Sequence, residues 1–426
     1  MNCISRLNVR ILLLSVACCA ACGAKVSDSL VPADPLAYRI EYVATPDPAN
    51  GTIDIDLMLS QGSALLREMT LRRNTRLSNL RGDGDLTIDD AEIRWTPPAG
   101  GGTLHWTVAV AQLRNGNGYD AWLGSDWGVF RAEDIIPRAA TRTLKNARSE
   151  TWLTLKLPSN WSAVSQYFSV DGRSRINNPK RRFDQPSGWI VIGNLGVRRE
   201  TIAGIRVAIA GPVDNEIRRL DTLALLNWTL PELARILPDL PPRLTIVRAG
   251  DPMWRGGLSA PTSLFLHAAR PLISENATST LLHEVMHLSL ALDSAAGYDW
   301  IIEGLAEYYS LQLLYRSGTI SEPRYQQARA DLAQWAKSAK ALCQPASTGA
   351  ATAYAVGVFA ALNDEIIELS NGEANLDSLL RELRQLDEDL DANVLATAVA
   401  QVSAGESEAL RIDNLPGCRS IAANAL

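Results

Sequence analysis

Residues 280–310 read T-L-L-H-E-V-M-H-L-S-L-A-L-D-S-A-A-G-Y-D-W-I-I-E-G-L-A-E-Y-Y-S. Only four histidines occur in the chain, and two of them, His283 and His287, bracket Glu284 in H-E-V-M-H. Side chains four apart on a helix project from one face, so both imidazoles can address one ion while Glu284 lies beside them. Sixteen residues after His287, Glu303 offers a carboxylate from a second apolar, helix-like run. Two His and one carboxylate form the ligand set of a catalytic zinc site, with a fourth position left for water. The expectation is one Zn²⁺ per chain on His283, His287 and Glu303. The bland alternative is a coincidental pair of histidines on an amphipathic helix, and Glu303 argues against it.

The neighbouring acids take distinct roles. Glu284, adjacent in sequence to a ligand, cannot easily reach the same ion. It is placed to accept a proton from water as general base and to return it to a departing amine. Glu307 follows Glu303 by one helical turn, on the same face. A metal-bound His usually donates its other N–H to an outer carboxylate, so Glu307 is expected to orient one of the histidines. On spacing alone the reverse assignment, with Glu307 as ligand and Glu303 outside it, stays open.

Working outward, Val213 to Leu237 reads as mostly helical, interrupted near Pro231, and R-L-T-I-V-R-A (243–249) and S-L-F-L-H-A (263–268) read as strands. Asn276 or Ser274 can cap the His283 helix, Asp299 can cap the Glu303 helix, and Gly318 can end it. Upstream, the character is different. A-Y-R-I-E-Y-V, T-I-D-I-D-L-M-L, T-L-H-W-T-V-A-V and W-L-T-L-K-L alternate apolar and polar positions between Gly- and Pro-rich turns. Short alternating strands with frequent turn signals predict a β-sandwich over residues 37–212. The expected fold class is α+β and multidomain, with a mostly helical catalytic domain over 213–426. R-G-D-G-D-L-T-I-D (81–89) superficially resembles a calcium loop, but it lacks the closing Glu and the spacing; a hairpin turn is the expectation there.

At 426 residues the chain accommodates two domains, and its 46% apolar and 21% charged residues are those of a globular protein. A net charge of −6 without a basic run gives no footprint for nucleic acid. The N-terminus carries Arg6 and Arg10, a short apolar run from Ile11 to Ala17 and then C-A-A-C-G. This segment resembles a bacterial lipoprotein signal, with residues 1–21 removed and Cys22 acylated. Cys18 or Cys19 as the acylated residue, and plain secretion with cleavage near Ala21, are the alternatives. Gly23 after the Cys resembles the sorting pattern for the outer membrane. The expectation is therefore an envelope lipoprotein facing the periplasm, with residues 22–36 as tether and the lipid as its membrane contact. An oxidising compartment permits a bridge between Cys343 and Cys418, the two cysteines left over; two separate buried thiols are the alternative.

W-I-I-E-G-L-A-E-Y-Y-S-L-Q-L-L-Y-R-S-G-T-I-S, from Trp300 to Ser321, resembles the corresponding stretch of the glycyl aminopeptidase family of gluzincin metallopeptidases. There a Trp precedes E-G, a Y-Y pair follows and R-x-G opens the next helix. The likeness continues at Tyr354 to Gly357, at Gly372 to Leu383 and upstream at W-R-G-G-L (254–258), covering about residues 240–385. The resemblance implies a thermolysin-like catalytic domain, zinc on His283, His287 and Glu303, and Glu284 as catalytic. It also implies Gly256, Gly257 and Leu258 as a substrate-binding edge strand, and Tyr354 as the oxyanion-stabilising phenol.

Departures qualify the resemblance. In the family, Gly-Gly-Leu is followed by a Glu that binds the substrate's free amino terminus; here Ser259 follows. The segment between His287 and Trp300 is short, and the chain ends without room for the PDZ-like domain that many members carry. His267 lies in a strand beside the presumed cleft, and His105 reads as a surface strand residue. Arg255, Arg270 and Arg316 are candidates for a substrate carboxylate. The reading is a zinc peptidase acting on a peptide or protein substrate, exo- or endopeptidase left open. The competing reading is a protease-like binding or assembly factor that holds peptides with little turnover.

Overall fold

The computed structural model describes Pro32 and residues 34–114, 116, 118–178 and 183–418. The expected leader, the candidate acylation sites Cys18, Cys19 and Cys22, and most of the expected tether lie outside the described residues.

Alternation translates directly into burial in the first half. In the strand Thr52–Ser60, Ile53, Ile55, Leu57 and Leu59 are buried while their neighbours turn outward. This strand sits inside a seven-stranded sheet, flanked antiparallel by Ala37–Asp47 and Gly101–Ala109. Ala37–Asp47 also pairs in parallel with Arg148–Leu155. A four-stranded sheet contributes Leu66, Met69, Leu71, Ile93 and Trp95 to the same core as Ile40, Tyr42, Ile55, Leu57 and Trp106. Two sheets thus share one apolar interior.

The D-G-D segment behaves differently from a hairpin. Leu77–Gly82 pairs with Gly101–Ala109 in the large sheet, whereas Asp85–Ile88 pairs with Glu92–Thr96 in the small one. Asp83 and Gly84 therefore turn the chain from one sheet to the other. Gly84 has φ +84°, and a Cβ there would lie 2.4 Å from the carbonyl oxygen of Thr96.

A third sheet lies between this sandwich and the helix-rich C-terminal half. Its strand Trp189–Gly193 is buried along its whole length. Ile190 and Ile192 join the sandwich core, while Trp189 and Val191 pack with Ala210, Val247 and Phe265. Burial on both faces explains why W-I-V-I-G shows no polar alternation.

A five-stranded sheet carries Leu195–Ile202, Ile205–Pro212, Arg243–Ala249, Ser263–His267 and Gly257–Ala260, in that spatial order. The boundary expected at residue 212 falls within this sheet, because Ile205–Pro212 pairs in parallel with Arg243–Ala249. Alternation identifies a strand but not the sheet it joins, so the composition change at 212 misplaced the division. One face, with Val207, Ile209, Leu244, Ile246, Leu264 and Leu266, is covered by helices.

The first of these helices is Arg219–Ile236, and it runs through Pro231 without interruption. Proline cannot donate to the carbonyl four residues back; that carbonyl belongs to Asn227, which is exposed. The helix Ala350–Leu369 is apolar and long, yet Ala355, Phe359, Leu362 and Ile366 are fully buried in the core.

Candidate metal centre

The His283 helix spans Thr280–Leu290 and buries Leu281, Leu282, Val285, Met286 and Leu290. That anchorage leaves the stripe with His283 and His287 half-buried. Its N-cap is Ser279, whose hydroxyl accepts from Leu282 N at 3.3 Å, in place of Asn276 or Ser274. Ser274 instead closes a local turn onto Thr278. The helix stops at Ala291, which takes φ 50° and donates its N–H to His287 O.

The Glu303 helix spans Trp300–Arg316 and is buried nearly all round. Gly304 permits this: a Cβ there would lie 2.5 Å from the Cβ of Ala355 on the neighbouring helix. Asp299 stands at the N-cap position but makes no cap hydrogen bond; its carboxylate accepts from Ser347 N at 2.6 Å.

The two helices bring three donor groups together. His283 Nε2 is 3.2 Å from Glu303 Oε2, and His287 Nε2 is 3.3 Å from Glu303 Oε1. The two Nε2 atoms are 3.0 Å apart. Ligands about 2.0–2.1 Å from a tetrahedral zinc lie roughly 3.3 Å from one another; the contacts in this triangle of groups are of that size, one histidine facing each Glu303 oxygen. His283 Nδ1 lies 2.9 Å from Glu307 Oε2. With Nδ1–H donating to that carboxylate, the Nε2 lone pair points at the ion position. Glu303 groups with the two histidines, while Glu307 stands behind His283 on its Nδ1 side.

The carboxylates and histidines of this cluster stabilise one another's charged forms. Burial alone would lower the His283 pKa, but hydrogen bonds and charge from Glu303 and Glu307 outweigh it and raise it to about 10. Burial would raise Glu303, yet its bonds to His283 and His287 hold it at about 2.

Glu284 occupies the space between this triangle and the sheet edge. It is 8% exposed, and burial raises its pKa against the opposing pull of His283 and His287. Gly257 abuts it: a Cβ at Gly257 would meet Glu284 Cγ at 2.9 Å and Thr280 Cγ2 at 2.7 Å. Ser259 lies two residues along on the same strand face, where its hydroxyl partly offsets the burial that raises the Glu284 pKa. Sequence reasoning noted Ser259 only as a departure; its contact with Glu284 carried no sequence signal.

Among the described residues no strand covers the outer edge of Gly257–Ala260. His267 N donates to Gly256 O at 2.9 Å, so by antiparallel alternation Gly257 and Ser259 turn their backbone groups outward. Leu258 faces the other way, with its carbonyl accepting from Trp189 Nε1 at 2.9 Å. Gly256 packs beneath the Trp254 ring, 2.0 Å from where a Cβ would stand.

Other candidates lie elsewhere. Tyr354 donates its hydroxyl to Asn414 O at 3.0 Å and lines a groove of about 900 Å³ that contains none of the metal-site residues. The oxyanion role expected for Tyr354 is thus not met in this structure. Its neighbour Ala355 faces Gly304, and one residue's rotation of about 100° turns Tyr354 aside. Cys343 and Cys418 are bridged, with Cα atoms 4.8 Å apart. His105 is buried against Asp56 at 2.7 Å rather than on the surface. His267 is buried too, with Nδ1 accepting from Ala269 N at 3.1 Å. Arg255 pairs with Asp251, Arg316 pairs with Asp377, and Arg270 donates to Arg255 O.

The fold is that of solved zinc peptidases. An aminopeptidase N family protein from Idiomarina loihiensis superposes with a TM-score of 0.65 at 17% identity, covering 81% of this chain and 70% of that one. An M1 zinc metallopeptidase from Deinococcus radiodurans, solved as a point mutant, superposes with a TM-score of 0.56 at 14% identity, covering 88% of this chain and 91% of that one. No family model and no curated protein sequence matches the chain.

Proposed function

We propose that the protein is a zinc-dependent peptidase. The observation that carries this reading is the donor triangle of His283, His287 and Glu303 at tetrahedral edge spacing, with Glu284 between it and a free sheet edge. His283, His287 and Glu303 would hold zinc, which when bound would lower the pKa of its water to near 7 and polarise a carbonyl. Glu284 accepts the water's proton and passes it to the leaving amine, in a buried setting that limits competing solvent. Ser259 lies beside Glu284 and favours its charged form, the form that accepts a proton. An extended peptide adds to the outward-facing backbone of Gly257 and Ser259 as a further strand. The glycyl aminopeptidase resemblance and the Cys22-anchored, periplasm-facing location in the envelope belong to the same proposal, as does a division of the chain into sandwich and catalytic domain.

Metal analysis combined with peptide-library cleavage tests it, comparing wild type with Glu284→Gln. We expect stoichiometric zinc in both, and turnover in the wild type alone. Zinc without turnover in either protein would favour a peptide-holding factor, a reading supported by Ser259 standing where a carboxylate could pair with a substrate ammonium. Cleavage of N-acetylated peptides separates an endopeptidase from an aminopeptidase. Mass spectrometry of the mature N-terminus checks for diacylglycerol on Cys22.

A further inference from the structure

The sheet that carries the metal centre on its helix-covered side has an unexplained charge cluster on its other side. Arg206 and Arg243 are register partners on adjacent parallel strands, so their side chains leave the same face as neighbours. Arg199 lies on the next strand opposite Ala208, on that same face. Like charges directly across a strand pair are destabilising. Among the described residues none of the three makes an ion pair. Arg243 donates one hydrogen bond, to Gln166 O at 3.3 Å. Burial lowers the Arg243 pKa, and Arg206 lowers it further.

These arginines line a cavity of about 700 Å³ whose opposite wall is the segment carrying Gln166 and Phe168. Gln166 is tied down by bonds to Ser187 and Thr262. Phe168 stands 70% exposed at the same cavity, open to contact by a bound molecule. Glu200 also lines the cavity, so three positive charges and one negative leave a formal +2. A carboxylate would neutralise half of this, whereas a phosphomonoester near neutral pH carries close to two negative charges. Guanidinium forks match its oxygens.

We propose that this cavity binds a phosphomonoester, held by Arg199, Arg206 and Arg243, with Phe168 against its organic part. The helix-covered face and its His283 cluster lie across the sheet, so the site is separate from the metal centre.

Titration calorimetry on the full chain, at ionic strength matched with chloride, tests this with inorganic phosphate, glycerol phosphate and a monomeric short-chain phosphatidic acid. Wild type should bind phosphate, and Arg206→Gln and Arg243→Gln should each weaken binding at least tenfold. Relief of the like-charge pair should leave the phosphate-free Tm of Arg206→Gln equal to or above that of wild type. Phosphatidic acid binding at least tenfold tighter than glycerol phosphate, with the gain lost in Phe168→Ser, identifies a lipid headgroup; equal affinity identifies a soluble phosphomonoester. No phosphate binding, equal binding by wild type and both arginine variants, or a lowered Tm for Arg206→Gln overturns the proposal.

Discussion

His283 Nδ1 lies 2.9 Å from Glu307 Oε2, a contact that would hold the ring proton on Nδ1 and leave Nε2 for the ion of the proposed site. Without it, the ring would be free to carry its proton on Nε2, the atom aimed at Glu303 and His287. Glu307→Ala should therefore weaken zinc affinity by about 10- to 100-fold while leaving the far-ultraviolet circular dichroism unchanged. Competition with a chelator of known affinity measures this, and unaltered affinity would contradict the assigned role.

The Ser259 hydroxyl favours the charged form of Glu284 and is placed to donate a hydrogen bond to its carboxylate. One such bond is worth about 1 kcal/mol, so Ser259→Ala should lower kcat about fivefold with KM nearly constant. Equal losses in both parameters would instead point to direct substrate contact by Ser259.

Tyr354 bonds the carbonyl of Asn414, away from the donor triangle. Tyr354→Phe should keep kcat within about twofold of wild type and lower stability by about 1 kcal/mol, the net worth of one hydrogen bond. A hundredfold drop in kcat would restore the oxyanion role to this residue.

The Cys343–Cys418 bridge closes a loop of sequence separation 75 and ties the end of the described chain to the segment between the helices Glu322–Ala336 and Ala350–Leu369. In the chain-entropy picture such a loop contributes about 4 kcal/mol. The double variant Cys343→Ser, Cys418→Ser should lose about that much in denaturant unfolding. A loss below about 1 kcal/mol would mean that packing alone holds this segment.

The legible part of this protein is its local periodicity. H-E-V-M-H and the Glu303–Glu307 pair could be read because side chains one helical turn apart share a face whatever the rest of the chain does. The alternating run Thr52–Ser60 was legible for the same reason at period two. Trp189–Gly193 was not, because a strand buried on both faces carries no alternation. Nor could composition show that the strands before residue 212 join the later sheet, since pairing is a long-range choice.

Chemistry on one helix or strand was thus determined by sequence alone: the ligand types, their spacing and the acid beside them. Tertiary structure decided how those elements face one another. It grouped Glu303 rather than Glu307 with the two histidines, brought Ser259 to Glu284, turned Tyr354 away and gathered Arg199, Arg206 and Arg243 around one cavity. The physical reason is that rotation about a helix axis and strand register are set by the packing of distant apolar residues, such as Ala355 against Gly304, and no short window of sequence contains both partners.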